Sequence, residues 1–346
     1  AVCTLVLAVI LPTAASAACT GFDDVPESAD CYESVMYLAK CEIVAGMGNE
    51  CFSPEQLITV EQWAVMLCRA YGVETIGDNW QDVGRSSVVE AYRQGWLNET
   101  ALSAPRSPMC RSVLVESAFA AADVPVYDST LYEGGTSLST ADNILRVGRE
   151  LGLCSDDADT NALVTRGDAA IILHVVLTQS FRIEEPPVPV TLVNAAGVNV
   201  NDFLLELRKL PEQVLDAFNA AGWTYCIDFD YMGGLSKRLN MSCIGATNYS
   251  RKTIYISEAS ATLHEFGHFL DWMLGFPAEH EQLFRAEAAV APLRNYAKTN
   301  TREYFADYFA YCIIHGKDSE MMKSLRKNAP QTCTYFEELK KDNWSR

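Results

Sequence analysis

The sequence lacks an excess of positive charge, a Cys-x-x-Cys pair and a hydrophobic run of membrane-spanning length. With 27 Lys and Arg against 45 Asp and Glu, the formal net charge is −18. A surface this acidic repels phosphate backbones and anionic lipid heads, so neither nucleic acid nor a membrane surface is expected as a partner. None of the twelve cysteines shows Cys-x-x-Cys spacing, which argues against a structural zinc–thiolate site. The apolar stretch at residues 5–11 falls well short of the ~20 residues that cross a bilayer. Histidine is scarce too, at five in the whole chain, so two at a meaningful spacing carry weight.

What is present divides the chain. Its 346 residues exceed one small domain, and 49% hydrophobic with 21% charged residues is a globular composition. The run at 5–11 is followed by Ala15-Ser16-Ala17, an A-x-A cleavage pattern, so residues 1–18 read as part of a secretory signal peptide. The mature protein is then expected to be secreted, with no membrane span once the signal is removed. The cysteine count fits an oxidising compartment. In the C-terminal part, Cys226 with Cys243 and Cys312 with Cys333 are the expected disulfides. Glu184-Glu185-Pro186-Pro187-Val188-Pro189 is stiff and extended, and 184–190 reads as a linker.

Before that linker the chain repeats weakly, with a period of roughly 55 residues. Phe22-Asp23-Asp24-Val25 returns as Trp80-Gln81-Asp82-Val83. Helical patterns at 34–40, 87–94 and 141–150 are each followed by a second one, at 59–71, 111–122 and 166–178. These residues, with Cys51-Phe52-Ser53-Pro54, Ile58-Thr59 and Thr165-Arg166-Gly167-Asp168, resemble S-layer homology (SLH) modules. The resemblance implies three paired-helix repeats, at 19–74, 75–128 and 129–183, binding cell-wall polysaccharide. A helical spacer without ligand is the alternative, with Arg166 a helix-start surface residue rather than a sugar contact.

After the linker, residues 223–228 and 253–257 read as strands, and 261–274 carries a helical period. Within that helix stands His264-Glu265-Phe266-Gly267-His268. Residues four apart share a helix face, so both imidazoles project together. Glu265, beside the first, can act as a base on water without ligating a metal. That is the content of HExxH, namely two nitrogen ligands and a carboxylate base. A catalytic zinc needs a third protein ligand. The candidates are Glu303 and Asp307, four apart on a helix otherwise crowded with aromatics at 304, 305, 308 and 309. One of the two would bind the metal and the other would accept the free N–H of a ligand histidine. His174, His280 and His315 are expected to be non-ligands. Residues 250–257 read either as an edge strand able to pair with an extended substrate or as an ordinary buried strand. Met232-Gly233-Gly234 and Gly245-Ala246-Thr247-Asn248 read as loops, and Trp223 as core rather than a substrate platform.

From His264 onward, with Leu270-Asp271, Tyr296, Thr299-Asn300, Glu303-Tyr304-Phe305-Ala306 and Lys327-Asn328-Ala329-Pro330, the text is similar to the catalytic domain of anthrax lethal factor and the related Pro-Pro endopeptidases. The resemblance implies a zincin-type α+β domain over 191–346 with zinc on His264, His268 and Glu303. It also implies Glu265 as general base and Tyr296 as a phenol steadying the oxyanion. Without it, Tyr296 is one of fifteen tyrosines. The expected whole is α+β: an all-α SLH-like region followed by a zinc endopeptidase domain. It would be secreted and wall-associated, and would act on an extended peptide or protein substrate, with Pro-rich sites in surface proteins expected. The alternative is a non-catalytic surface binding or adhesion protein with a vestigial peptidase domain.

Overall fold

The computed structural model describes residues 3–4, 21–48, 50–316 and 319–345. The expected signal peptide falls, but for residues 3–4, outside the described residues. The chain parts into two compact units, Ala1–Glu185 and Pro186–Arg346.

The first unit is built from α1 (Tyr32–Lys40), α2 (Val60–Ala70), α3 (Trp80–Arg93), α4 (Glu99–Ser103), α5 (Arg111–Ala121), α6 (Thr140–Glu150) and α7 (Arg166–Thr178). A short antiparallel pair, β1 (Cys3–Thr4) with β2 (Arg182–Ile183), completes it. Thr59 caps α2 through a reciprocal bond with Gln62, and Thr165 caps α7 by accepting from Asp168 N–H. Helix α3 packs on α2, α6 on α5 and α1 on α7. The segments entering α2, α5 and α7 close a ring of backbone hydrogen bonds. Ile58 N–H donates to Val164 O (3.0 Å), Val164 N–H to Met109 O (3.0 Å) and Met109 N–H to Ile58 O (2.9 Å). One apolar core runs through the unit, from Phe22 and Phe52 to Leu173 and Leu177.

Two expectations change here. The helix expected at 87–94 begins at Trp80, because Asn79 accepts from Gln81 and Asp82 N–H and caps it two turns early. The Asp24 carboxylate accepts from Phe52 and Ser53 N–H (both 2.7 Å), whereas Asp82 is bound by its neighbour Asn79 (2.6 Å), so the two motifs do different work. Arg166 is neither a surface residue nor open to a ligand. It is 5% exposed, donates to Phe52 O (2.9 Å) and stacks on the Phe52 ring at 4.5 Å, joining the start of α7 to the segment before α2.

The second unit carries a four-stranded mixed sheet of β3 (Leu192–Asn194), β4 (Thr224–Ile227), β5 (Gly245–Asn248) and β6 (Thr253–Ile256), in the order β3-β4-β6-β5. β5 runs antiparallel to β6, and the other pairs are parallel. Around it lie α8 (Asn201–Leu207), α9 (Glu212–Ala220), α10 (Phe229–Leu239), α11 (Thr262–Met273), α12 (Ala278–Glu287), α13 (Thr301–Ile314), α14 (Glu320–Asn328) and α15 (Pro330–Lys341). Phe218, Trp223, Phe266 and Phe269 form one buried aromatic cluster, which makes Trp223 core. No helix among the described residues is long and apolar enough to cross a membrane.

Three readings are corrected in this unit. Residues 253–256 form an inner strand flanked by β4 and β5, the buried-strand alternative of the two, and the edge beside it is β5, the stretch expected as a loop. Met232, Gly233 and Gly234 lie inside α10, where Asp228 caps the start and outweighs two glycines. None of the ten cysteines whose side chains are described is bridged. Cys226 is paired with Tyr255 across β6, and β5, which follows Cys243, lies one strand further out. Two strand spacings are roughly 9–10 Å, beyond disulfide reach. Cys312 and Cys333 both face Tyr308, and burial followed by the neighbouring Cys333 pushes the Cys312 thiol up to about 12.

Candidate metal centre

Helix α11 starts where the Thr262 hydroxyl meets the Tyr225 hydroxyl of β4 (2.7 Å), which fixes the helix against the sheet. Leu263, Phe266, Phe269 and Leu270 fill the core and leave His264, Glu265 and His268 on the turn facing a cleft. The second helix of the site, α13, is capped by Asn300, whose side chain accepts from Arg302 and Glu303 N–H. Tyr304, Phe305, Tyr308 and Phe309 are buried on it, which holds it rigidly.

What lets the two helices meet is Gly267. A Cβ there would lie 2.5 Å from Ala306 Cα, so the backbones cross in contact. The crossing sets Glu303 and Asp307 against the histidines. Glu303 Oε2 lies 3.0 Å from His264 Nε2 and 3.4 Å from His268 Nε2, and one ligand atom from each of the three residues falls within 4.8 Å of the others. The ring of His264 is oriented from behind, with Nδ1 2.6 Å from Asp307 Oδ1. Asp307 is in turn clasped by Arg294, which donates to both of its oxygens at 2.6 Å. Among the described residues the buried Nδ1 of His268 has no hydrogen-bond partner, so that ring is oriented by packing and by the approach of its Nε2 to Glu303.

The charges follow from this geometry. Burial alone lowers the His264 pKa, yet the hydrogen bonds to Asp307 and Glu303 overcome it and take it up to about 9. For Glu303, burial raises and the bonds to His264 and His268 lower, and the carboxyl ends well below the usual range. Asp307 is depressed likewise, against its burial, by His264 and Arg294. With its proton directed at Asp307, a neutral His264 presents the Nε2 lone pair to the Glu303 carboxylate. Two acceptors face each other there, and a proton or a cation must sit between them. Two imidazole nitrogens and a carboxylate are a donor set that suits zinc, so the residues present fit the metal.

Glu265 is 5% exposed and stands beside the trio. The Thr247 hydroxyl donates to its Oε2 (2.7 Å), and a Cβ on Gly245 would lie 2.7 Å from its Oε1, so β5 runs directly along this carboxylate. Tyr296 stands in the cleft, 43% exposed, its hydroxyl within reach of the Glu303 carboxylate. Burial, then Glu303, push its pKa up to about 12, and the phenol keeps its proton across the neutral range. The cleft these residues line has a volume of about 1120 Å3.

His174 meets Ser34, and His280 is bound between Asp271 and Tyr335, so both stand outside the trio with His315. Sequence reasoning missed Arg294, Thr247 and the packing role of Gly267. The signal for Gly267 lies inside the motif itself, as a glycine in mid-helix. Arg294 and Thr247 carry no local signal.

Residues 226–339 match the family model for anthrax toxin lethal factor, N- and C-terminal domain, and residues 21–62 match that for the S-layer homology domain. No curated protein matches the chain. A lethal factor-like domain points to a metallopeptidase, and an S-layer homology domain to attachment at a cell surface. The chain therefore carries an S-layer homology domain at 21–62 and, after it, a lethal factor-like domain at 226–339.

Proposed function

We propose that the chain is a secreted, wall-attached zinc endopeptidase. The carrying observation is the convergence of His264, His268 and Glu303 within 4.8 Å, with Glu265 beside them. His264, His268 and Glu303 would hold the metal, and Asp307 with Arg294 would keep the first ring in its ligating tautomer. Zinc bound there supplies Lewis acidity, lowering the pKa of a water and polarising the scissile carbonyl. Glu265, steadied by Thr247, takes the proton of the attacking water and passes it to the leaving amine. Tyr296, kept protonated, donates its O–H to the developing oxyanion. The edge strand β5 offers its unpaired backbone to an extended substrate. Pro-rich segments of nearby surface proteins are the proposed targets.

We also infer that residues 75–128 and 129–183 are further copies of the module matched at 21–62, supported by the ring that joins Ile58, Met109 and Val164. The copies together would hold cell-wall polysaccharide.

The test is zinc content and cleavage of a quenched-fluorescent peptide library, rich in Pro-Pro and random positions, by the full chain. Glu265→Gln is expected to keep stoichiometric zinc and lose turnover by ~10²–10⁴-fold. Glu303→Ala is expected to lose the metal. Undiminished cleavage by Glu265→Gln would end the assignment, and retained zinc in Glu303→Ala would place the third ligand elsewhere. Retention of the full chain on purified cell walls tests the attachment, and passage without retention removes it.

A further inference from the structure

The cleft holds a second charged feature beside the metal trio. Its cationic lining residues are Arg294, which is taken up by Asp307, and Arg302. Arg302 follows the helix cap, is exposed, and makes no ion pair or side-chain hydrogen bond among the described residues. It is nonetheless held in place. Its guanidinium carbon lies 4.4 Å from the centroid of the Phe276 ring and 5.3 Å from that of Tyr249. These two rings meet edge to face at 5.4 Å. A guanidinium lying on aromatic faces keeps its planar fork of N–H donors free, the arrangement that suits a carboxylate.

The platform is built at a cost. Phe276 has φ +51° after Gly275 at +78°, a left-handed conformation that strains a bulky residue. It is placed, too, relative to the base. Tyr249 follows β5 directly, two residues beyond the Thr247 that holds Glu265. At ~3.3 Å per extended residue, the platform stands about two residues along the strand from the base. In a chain of net charge −18, with Glu265, Glu303 and Asp307 in the same cleft, this cation has been left unpaired.

We propose that Arg302 is a carboxylate-recognising subsite of the cleft, selecting peptides that carry an anionic group about two residues from the scissile bond. The group is either an Asp or Glu side chain or the peptide's own terminal carboxylate. The choice of a peptide as ligand rests on the peptidase reading above, so the test separates binding from cleavage.

The full chain carrying Glu265→Gln and loaded with zinc is titrated into fluorescent octapeptides followed by polarisation. The peptides are identical except for one Glu or its Gln twin at each position in turn, with the C-terminus free or amidated. At one register the Glu peptide, or the free-terminus peptide, is expected to bind about five-fold tighter than its neutral twin. Arg302→Met is expected to erase that ratio without shifting the melting temperature, and Arg302→Lys to keep part of it. A preference confined to the internal Glu assigns the side chain, and one confined to the free terminus assigns the terminal carboxylate. Equal binding of all twins, a ratio that survives Arg302→Met, or no binding of any peptide overturns the subsite. With Glu265 intact, Arg302-dependent binding without cleavage would overturn the peptidase reading and leave the subsite standing.

Discussion

Replacing Gly267 by Ala tests whether the close crossing of α11 and α13 assembles the metal centre. The added methyl would stand 2.5 Å from Ala306 Cα and 2.7 Å from Ala306 O. Non-bonded carbons rest at ~3.5–4.0 Å, so the helices must part by about 1 Å. Alanine gains ~1 kcal/mol of helix propensity over glycine, and overpacking costs ~1–3 kcal/mol. The net effect on stability is a loss of about 0–2 kcal/mol, a fall of up to ~8 °C in melting temperature for a domain of this size. The site should suffer more than the fold. Glu303 lies one turn before Ala306 and Asp307 directly after it, so a shift of α13 moves the proposed ligand and the carboxylate that orients His264 together. Zinc affinity is expected to fall ~10–100-fold, read by competition with a chromogenic chelator. Gly233→Ala and Gly234→Ala in α10 serve as controls, because a Cβ at either position meets nothing within 4 Å. They should leave zinc affinity unchanged and add up to ~1 kcal/mol of stability. Wild-type zinc affinity in Gly267→Ala would refute the reasoning.

Asp307→Ala strips the acceptor from His264 Nδ1 and leaves Arg294 unpaired, and should lower zinc affinity by ~10–100-fold; an unchanged affinity would reduce Asp307 to packing. Arg166→Met removes the bond to Phe52 O and its ring contact, and is expected to cost about 2–3 kcal/mol in denaturant unfolding of the N-terminal unit. A loss under ~0.5 kcal/mol, the range of ordinary surface changes, would contradict its burial. In the metal-free chain, His264 has its pKa raised from 6.5 to about 9, so its contribution to stability is complete below pH 6.5 and fades as pH rises through 9. The depressed carboxyls of Glu303 and Asp307 act in the opposite sense, contributing above their ordinary values of 4.5 and 3.8 and losing that as pH falls. Thermal melts of chelator-treated protein should therefore peak between about pH 4.5 and 6.5. A melting temperature that climbs from pH 6.5 to 9 would show that His264 is not held charged.

The site was legible where the chemistry is local. His264, Glu265 and His268 share one turn, and Glu303 and Asp307 share one helix face, so spacing alone put each set together. That the two sets meet depends on Gly267 against Ala306, a contact 39 residues apart that no periodicity encodes. Arg294 and Thr247 became visible only when the fold brought them to Asp307 and Glu265. The strand misread as a loop, and the choice between edge and buried strand left open at 250–257, trace to the same cause. Gly245-Ala246-Thr247-Asn248 has neither alternation nor β-branched density, and its place at the rim is decided by the pairing of β6 with β4. In the first unit, the helical periodicity made the second helices clear, whereas the inward turn of Arg166 depends on Phe52, 114 residues away.

The ring through Ile58, Met109 and Val164 has a consequence for how the N-terminal unit withstands load. An open stack of three modules has two interfaces and two free ends, and it can peel from either end. With the three copies inferred above, α1 returns to α7, so there are three interfaces and no end. Deleting any one copy breaks two of the three, and the remaining pair keeps a single contact. Such a unit should give way all at once or not at all, so that a tether made from it releases at a single threshold rather than fraying module by module.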